Sequence, residues 1–280
     1  MAVRFARRDD RTVLGDLYQQ GSAKARFPKV YDGGPAEVVL INTAGGVTGA
    51  DCYQQSVDFD EGTRAVVTTQ AAEKVYKASE GASPARIANK LTAKAAAFAE
   101  WLPQETIFFD RGRLHRRFEA RLDPTARLLA CEAIVFGRTA MGETVESGSL
   151  RDDWRITVGD RVVFADSLAI DGAVQACLDR PAVTAGGRAL ATVLYVGPDS
   201  ERLIDMAKDA LGPFTQPGKR AAASRIDDLI VARFIAADGL SLRPMLDTYL
   251  STIRYAAGQH GSGKSTPQPA AGGVPKLWCC

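Results

Sequence analysis

Three stretches of this chain can be laid over one another: residues 57–69, 91–103 and 120–132. Each holds two short alternating runs around a small or turn-forming centre. Period-two alternation buries one face of a sheet, and Glu61-Gly62 or Asp123-Pro124 supplies a turn. The starts lie about 30 residues apart, where a repeat implies stacked units. Residues 156–164 read as a fourth hairpin with Gly159-Asp160 at its turn. These patterns predict a mainly β architecture of repeated hairpins. Residues 85–100 also admit an alanine-rich helix. The alternation from Arg86 to Leu91 favours strands there.

Helices are expected in the C-terminal part. Asp199 or Ser200 starts one that runs through Leu211, with Leu203, Ala207, Ala210 and Leu211 on one face and Gly212-Pro213 as its stop. Ser241 starts another, with Pro244 in its first turn. Its stripe is Leu242, Met245, Leu246, Tyr249, Leu250 and Ile253, and Gly258 ends it. Residues 1–257 are thus expected to form one β-rich scaffold domain. Residues 258–275 read as a flexible Gly/Ser/Pro linker, and residues 276–280 as a segment that docks back onto the surface.

Composition excludes several classes. The chain is 46% hydrophobic and 24% charged, which is ordinary for a globular protein. A net charge of +2 predicts no nucleic-acid partner. No apolar run reaches membrane-spanning length, so no membrane association is expected. The basic start lacks the apolar core of a secretory signal. Five cysteines without a CxxC pair fit a reducing cytoplasm.

Gly258-Gln-His-Gly-Ser-Gly263-Lys264-Ser265 matches the phosphate-binding loop pattern letter for letter. Such a loop needs a strand before it and a helix behind it. Here a helix precedes, and Pro267 and Pro269 block one from following. Gly258, Gly263, Lys264 and Ser265 therefore read as a chance match, with nucleotide binding as the alternative function. His115 and His260 are the only histidines and lack zinc-ligand spacing. Cys279-Cys280 alone would make a poor metal site. No hydrolytic or redox motif occurs.

Two polar clusters remain. Asn42–Asp51 is glycine-rich and follows an apolar run. Thr68–Lys77 carries Gln70, Glu73 and Lys74 inside a β-like segment, where unpaired burial is costly.

Those clusters carry a family resemblance. Gly45-Gly46-Val47-Thr48-Gly49-Ala50-Asp51, Thr68-Thr69-Gln70-Ala71-Ala72-Glu73-Lys74-Val75-Tyr76 and Glu100-Trp101-Leu102-Pro103-Gln104-Glu105-Thr106-Ile107-Phe108-Phe109-Asp110 resemble, in order, three segments of the urease accessory protein D family (UreD, also called UreH). Gly137-Arg138-Thr139-Ala140-Met141-Gly142-Glu143 and Pro275-Lys276-Leu277-Trp278 resemble its later elements. Ala50 departs from the family, which usually has glycine there. The resemblance implies a solenoid-like stack of sheets with a few helices. It also implies a non-enzymatic role: binding urease apoprotein and accessory proteins F and G during GTP-dependent insertion of the nickel centre, with room for a homodimer within the complex. No tightly bound cofactor is implied, only Ni²⁺ in transit. Candidates for a nickel path or for partner contacts are Asp51, Gln70, Glu73, Lys74, Tyr76, Glu105 and Asp110. Alternatively these groups satisfy backbone atoms or pair with Lys74, Arg111 or Arg113.

Overall fold

The structure, a computed structural model, describes residues 1–30, 33–138, 141–214, 219–258, 274–275 and 278. The first strands are β1 (Ala2–Arg8), β2 (Arg11–Tyr18), β3 (Ala23–Arg26), β4 (Ala36–Asn42), β5 (Cys52–Phe59) and β6 (Arg64–Thr69). There follow β7 (Glu73–Val75), β8 (Ala85–Ala93), β9 (Phe98–Trp101), β10 (Thr106–Phe108), β11 (Arg113–Leu122) and β12 (Arg127–Phe136). The rest is β13 (Ser147–Val158), β14 (Arg161–Ala173), α1 (Val174–Asp179), β15 (Ala189–Val196), α2 (Ser200–Asp209), β16 (Lys219–Ile226), β17 (Leu229–Ala236) and α3 (Gly239–Gly258).

The fold is mainly β, with few helices, as expected. A seven-stranded sheet runs β14-β13-β11-β8-β5-β1-β2. A ten-stranded sheet runs β16-β17-β15-β12-β9-β6-β4-β3, with β10 beside β12 and β7 beside β10. The three overlaid segments correct the expectation in one respect, because they are not hairpins. Each gives its first strand to the seven-stranded sheet (β5, β8, β11) and its second to the ten-stranded sheet (β6, β9, β12). Equivalent strands stack in parallel. Val57 lies opposite Leu91, and Leu91 opposite Ala120. Arg64 and Arg127 both lie opposite Phe98. Alternation fixes which face is buried but not which strand lies alongside, so it could not separate a hairpin from a coil that steps between sheets. Residues 156–164 do close a hairpin, with β13 antiparallel to β14.

The sheets bury a shared core. Phe5, Phe59, Phe118 and Trp154 meet Val67, Trp101 and Leu128 from the other side. The far face of the ten-stranded sheet is covered by α2 and α3, through Leu203, Ala207, Leu242, Met245, Tyr249 and Ile253. The predicted stripe of α3 is buried throughout. Asp238 Oδ1 accepts the Ser241 N–H at 2.7 Å, a capping contact that lets the helix begin just before Ser241. Asp199 stands at the start of α2 but makes no side-chain cap. Its carboxylate instead takes the Tyr195 hydroxyl and, at 3.1 Å, Arg202. β8 alternates buried and outward residues, so the strand reading of residues 85–93 holds over the helical one. Trp278 is buried, and its Nε1 donates to the Leu102 carbonyl at 3.0 Å.

Candidate functional site

The glycine-rich loop after β4 closes onto the segment around β7. The Val47 N–H donates to the Lys74 carbonyl and the Tyr76 N–H to the Val47 carbonyl, both at 2.8 Å. Gly46 makes this approach possible. A Cβ there would lie 2.4 Å from the Tyr76 ring and 2.6 Å from the Lys74 carbonyl oxygen. The Tyr76 ring meets Phe109 edge-on at 5.2 Å, and the Arg138 guanidinium lies 4.6 Å over the Phe109 ring. Arg138 pairs with Glu143 at 2.8 Å. Segments far apart in sequence thus converge on one surface.

Each candidate residue has a definite place. Asp51 Oδ2 accepts the Thr48 N–H at 2.8 Å and closes the loop. Glu73 is half-buried and accepts from Asn42 Nδ2 at 3.1 Å. Burial pushes its carboxyl above the ordinary range, and the Asn42 hydrogen bond only partly offsets this. Gln70 and Lys74 are exposed. Tyr76 donates to the Gly45 carbonyl at 3.3 Å. Asp110 Oδ1 accepts the Ser147 N–H at 3.0 Å, and Arg111 lies 3.4 Å from the other oxygen. Glu105 points elsewhere. It pairs at 2.8 Å with Arg243 of α3, whose guanidinium lies 4.6 Å over Trp278. Asp51, Glu73, Tyr76 and Asp110 therefore belong to the converged region, while Glu105 faces the helical layer. Of the loop-like motif only Gly258, the last residue of α3, is described. Gly263, Lys264 and Ser265 lie outside the described residues.

Reading the sequence missed a buried ionic cluster between the sheets. Arg116 on β11 binds both oxygens of Asp152 on β13, at 2.8 and 2.7 Å. It also bonds Glu132 of β12 and, at 3.0 Å, the Thr106 hydroxyl of β10. Trp101 Nε1 donates to the second Glu132 oxygen at 2.9 Å. Burial alone would lower the Arg116 guanidinium, but Asp152 and Glu132 outweigh it and hold it above its ordinary value. Burial raises the Glu132 carboxyl, with Arg116 opposing. Glu132 and Asp152 also line a cavity of about 220 Å³, along with Thr192, Asp166 and Arg233. The last two pair at 2.7 Å. A cavity of this size has room for several waters. The signal in the sequence was Arg116 on the apolar face set by Leu114, Phe118 and Ala120.

The model of the UreD urease accessory protein family matches residues 1–269. The chain belongs to the UreD family. It is 46% identical over 249 residues to urease accessory protein UreD of Rhizobium leguminosarum bv. viciae, covering 89% of this chain and 88% of the relative. It is 45% identical over 247 residues to UreD of Sinorhizobium medicae, covering 88% of each. It is 43% identical over 249 residues to UreD of Agrobacterium fabrum, covering 89% of this chain and 84% of the relative.

The convergence of Gly45–Asp51, Glu73–Tyr76, Phe109-Asp110 and Arg138/Glu143 gives the UreD resemblance a spatial meaning: its separate segments build one surface. Ala50, where the family usually has glycine, sits at φ 68°, a left-handed conformation that favours glycine. Burial pushes the Cys131 thiol well up, which leaves it protonated and a poor metal ligand. Among the described residues no three His, Cys, Asp or Glu side chains are grouped to hold a metal. No described helix is long and apolar enough to cross a membrane.

Proposed function

We propose that this UreD-family chain is a non-enzymatic maturation scaffold of the cytoplasm. It binds urease apoprotein with accessory proteins F and G during GTP-dependent nickel insertion, and it offers nickel a path through its interior. GTP hydrolysis belongs to the partner. Support for the scaffold comes from the whole-chain relationship to proteins named urease accessory protein.

The observation that carries the path is the Arg116–Glu132–Asp152 cluster on the wall of the cavity. One guanidinium against two carboxyl groups leaves oxygen donors in excess on the cavity wall, and oxygen donors suit a hard or borderline dication in transit. Each carboxylate has about four lone-pair sites, so Arg116 does not exhaust them. Oxygen donors hold Ni²⁺ more weakly than a thiolate or imidazole cage, so the ion can move on. The route would lead from Glu73, which is register-paired with Thr106, to the Glu132 and Asp152 carboxyl groups that line the cavity. The converged surface bearing Asp51, Lys74, Tyr76 and Asp110 would be the contact for partners, with exposed Gln70 a contact beside β6 and Glu105 one on the helical side.

Reconstituted activation tests the reading. Urease apoprotein, nickel, bicarbonate, GTP and proteins F and G are combined with and without this chain. Urease activity that requires the chain is expected. Equal activity without it, all components being folded, contradicts the reading.

A further inference from the structure

The outer face of the seven-stranded sheet has no role in that path. β1, β5, β8, β11 and β13 pair in parallel, and parallel sheets are ordinarily covered on both faces. Here the helices α2 and α3 pack on the other sheet. Three adjacent strands of this bare face, β8, β11 and β13, are basic, with Asp58 of β5 and Asp171 of β14 on the flanking strands. Arg86, Lys90, Arg117, Arg121, Arg151 and Arg155 project from β8, β11 and β13 and are all exposed. The outward carboxylates of these strands are Glu119 and Asp153. Register sets Arg86 and Arg151 on either side of His115, and Lys90 and Arg155 on either side of Glu119. Among the described residues Arg86, Lys90, Arg121 and Arg155 make no ion pair. This concentration stands out in a chain whose net charge is only +2.

We infer that this face docks an acidic protein surface and, on the reading given above, one carried by the urease apoprotein. A protein fits better than a nucleic acid or an anionic membrane for two reasons. Glu119 and Asp153 lie within the patch and would repel a continuous run of phosphates, whereas a protein surface can meet them with cations. The outward positions of β8, β11 and β13 carry no Phe, Tyr or Trp to form a stacking platform or to enter a bilayer interface.

The test is equilibrium binding of the full chain to urease apoprotein over a series of salt concentrations. The variant Arg86→Glu/Arg117→Glu/Arg155→Glu is compared with a control of equal charge change on other surfaces, Arg180→Glu/Lys208→Glu/Arg225→Glu. Matching thermal melts establish that both are folded. The face variant is expected to bind about tenfold more weakly or worse at low salt, with a shallower salt dependence, while the control binds like the parent. Equal binding by parent and face variant overturns this inference and leaves the functional reading intact. A parent chain that fails to bind apoprotein overturns both. Binding to duplex DNA or phosphatidylglycerol vesicles as tight as to apoprotein, and lost in the same variant, overturns the assignment to a protein.

Discussion

The two faces of β11 hold the same residue type under opposite rules. Inward, Arg116 is 3% exposed, binds three side chains, and has a carboxylate on either side. Outward, Arg117 is 60% exposed and has a single pairing, 3.2 Å from Glu119. A buried guanidinium must be matched donor by donor, because each unmatched charge is expensive. An exposed one is solvated and screened, so its pairing contributes little. The inner face therefore fixes one arrangement of the sheets, while the outer face leaves its cations free to meet something else.

The largest effect should come from breaking the inner face. Arg116→Ala leaves Glu132 and Asp152 buried without their cation and should cost about 3–5 kcal/mol, measured by urea denaturation. A drop below 1 kcal/mol would mean that water enters the cavity and replaces the guanidinium. An intermediate effect is expected on the covered far face of the ten-stranded sheet. Trp278→Ala removes a buried indole and its bond to Leu102, and should cost about 3 kcal/mol, read as a fall in melting temperature. The outer face should respond least. Asp153 accepts from Ser167 at 2.6 Å, from His115 at 2.9 Å and from Arg151 at 2.9 Å. Burial would raise its carboxyl, but these hydrogen bonds outweigh it and bring the pKa down to about 2. A carboxyl lowered in the folded state adds stability above its ordinary pKa and loses it as pH falls through the folded value. Asp153→Asn should therefore flatten the stability profile between about pH 4 and pH 2 and cost less than about 1 kcal/mol near neutrality. An unchanged acid limb would show that the outer contacts contribute nothing.

Much of this was written in the alternation. The overlay of Val57, Leu91 and Ala120 turned out to be the strand register itself, and the stripe of α3 is buried as read. What stayed hidden was partner choice. A face that must be buried does not say whether its neighbour is the next strand in sequence or the strand one coil away. The short helix α1 was missed because its six residues span too little chain for a helical period to emerge. Of the candidates that the family resemblance suggested, Asp51, Glu73, Tyr76 and Asp110 come together in space. Arg116, Glu132 and Asp152 were not among those candidates. They come from three strands: Arg116 alone was marked, by its place on an apolar face, and its partners show only when β13 pairs with β11 and β12 packs across from the other sheet.

The central claim is that the inner carboxylates serve nickel as well as stability. The direct measurement compares Glu132→Gln with the parent chain for two readouts in the reconstituted mixture: nickel incorporated into urease, and binding to urease apoprotein. The substitution keeps the side chain's shape and removes its charge. The account predicts that nickel incorporation falls about tenfold while apoprotein binding stays unchanged. Unchanged incorporation by a folded Glu132→Gln chain would contradict it and leave the cluster a purely structural clamp.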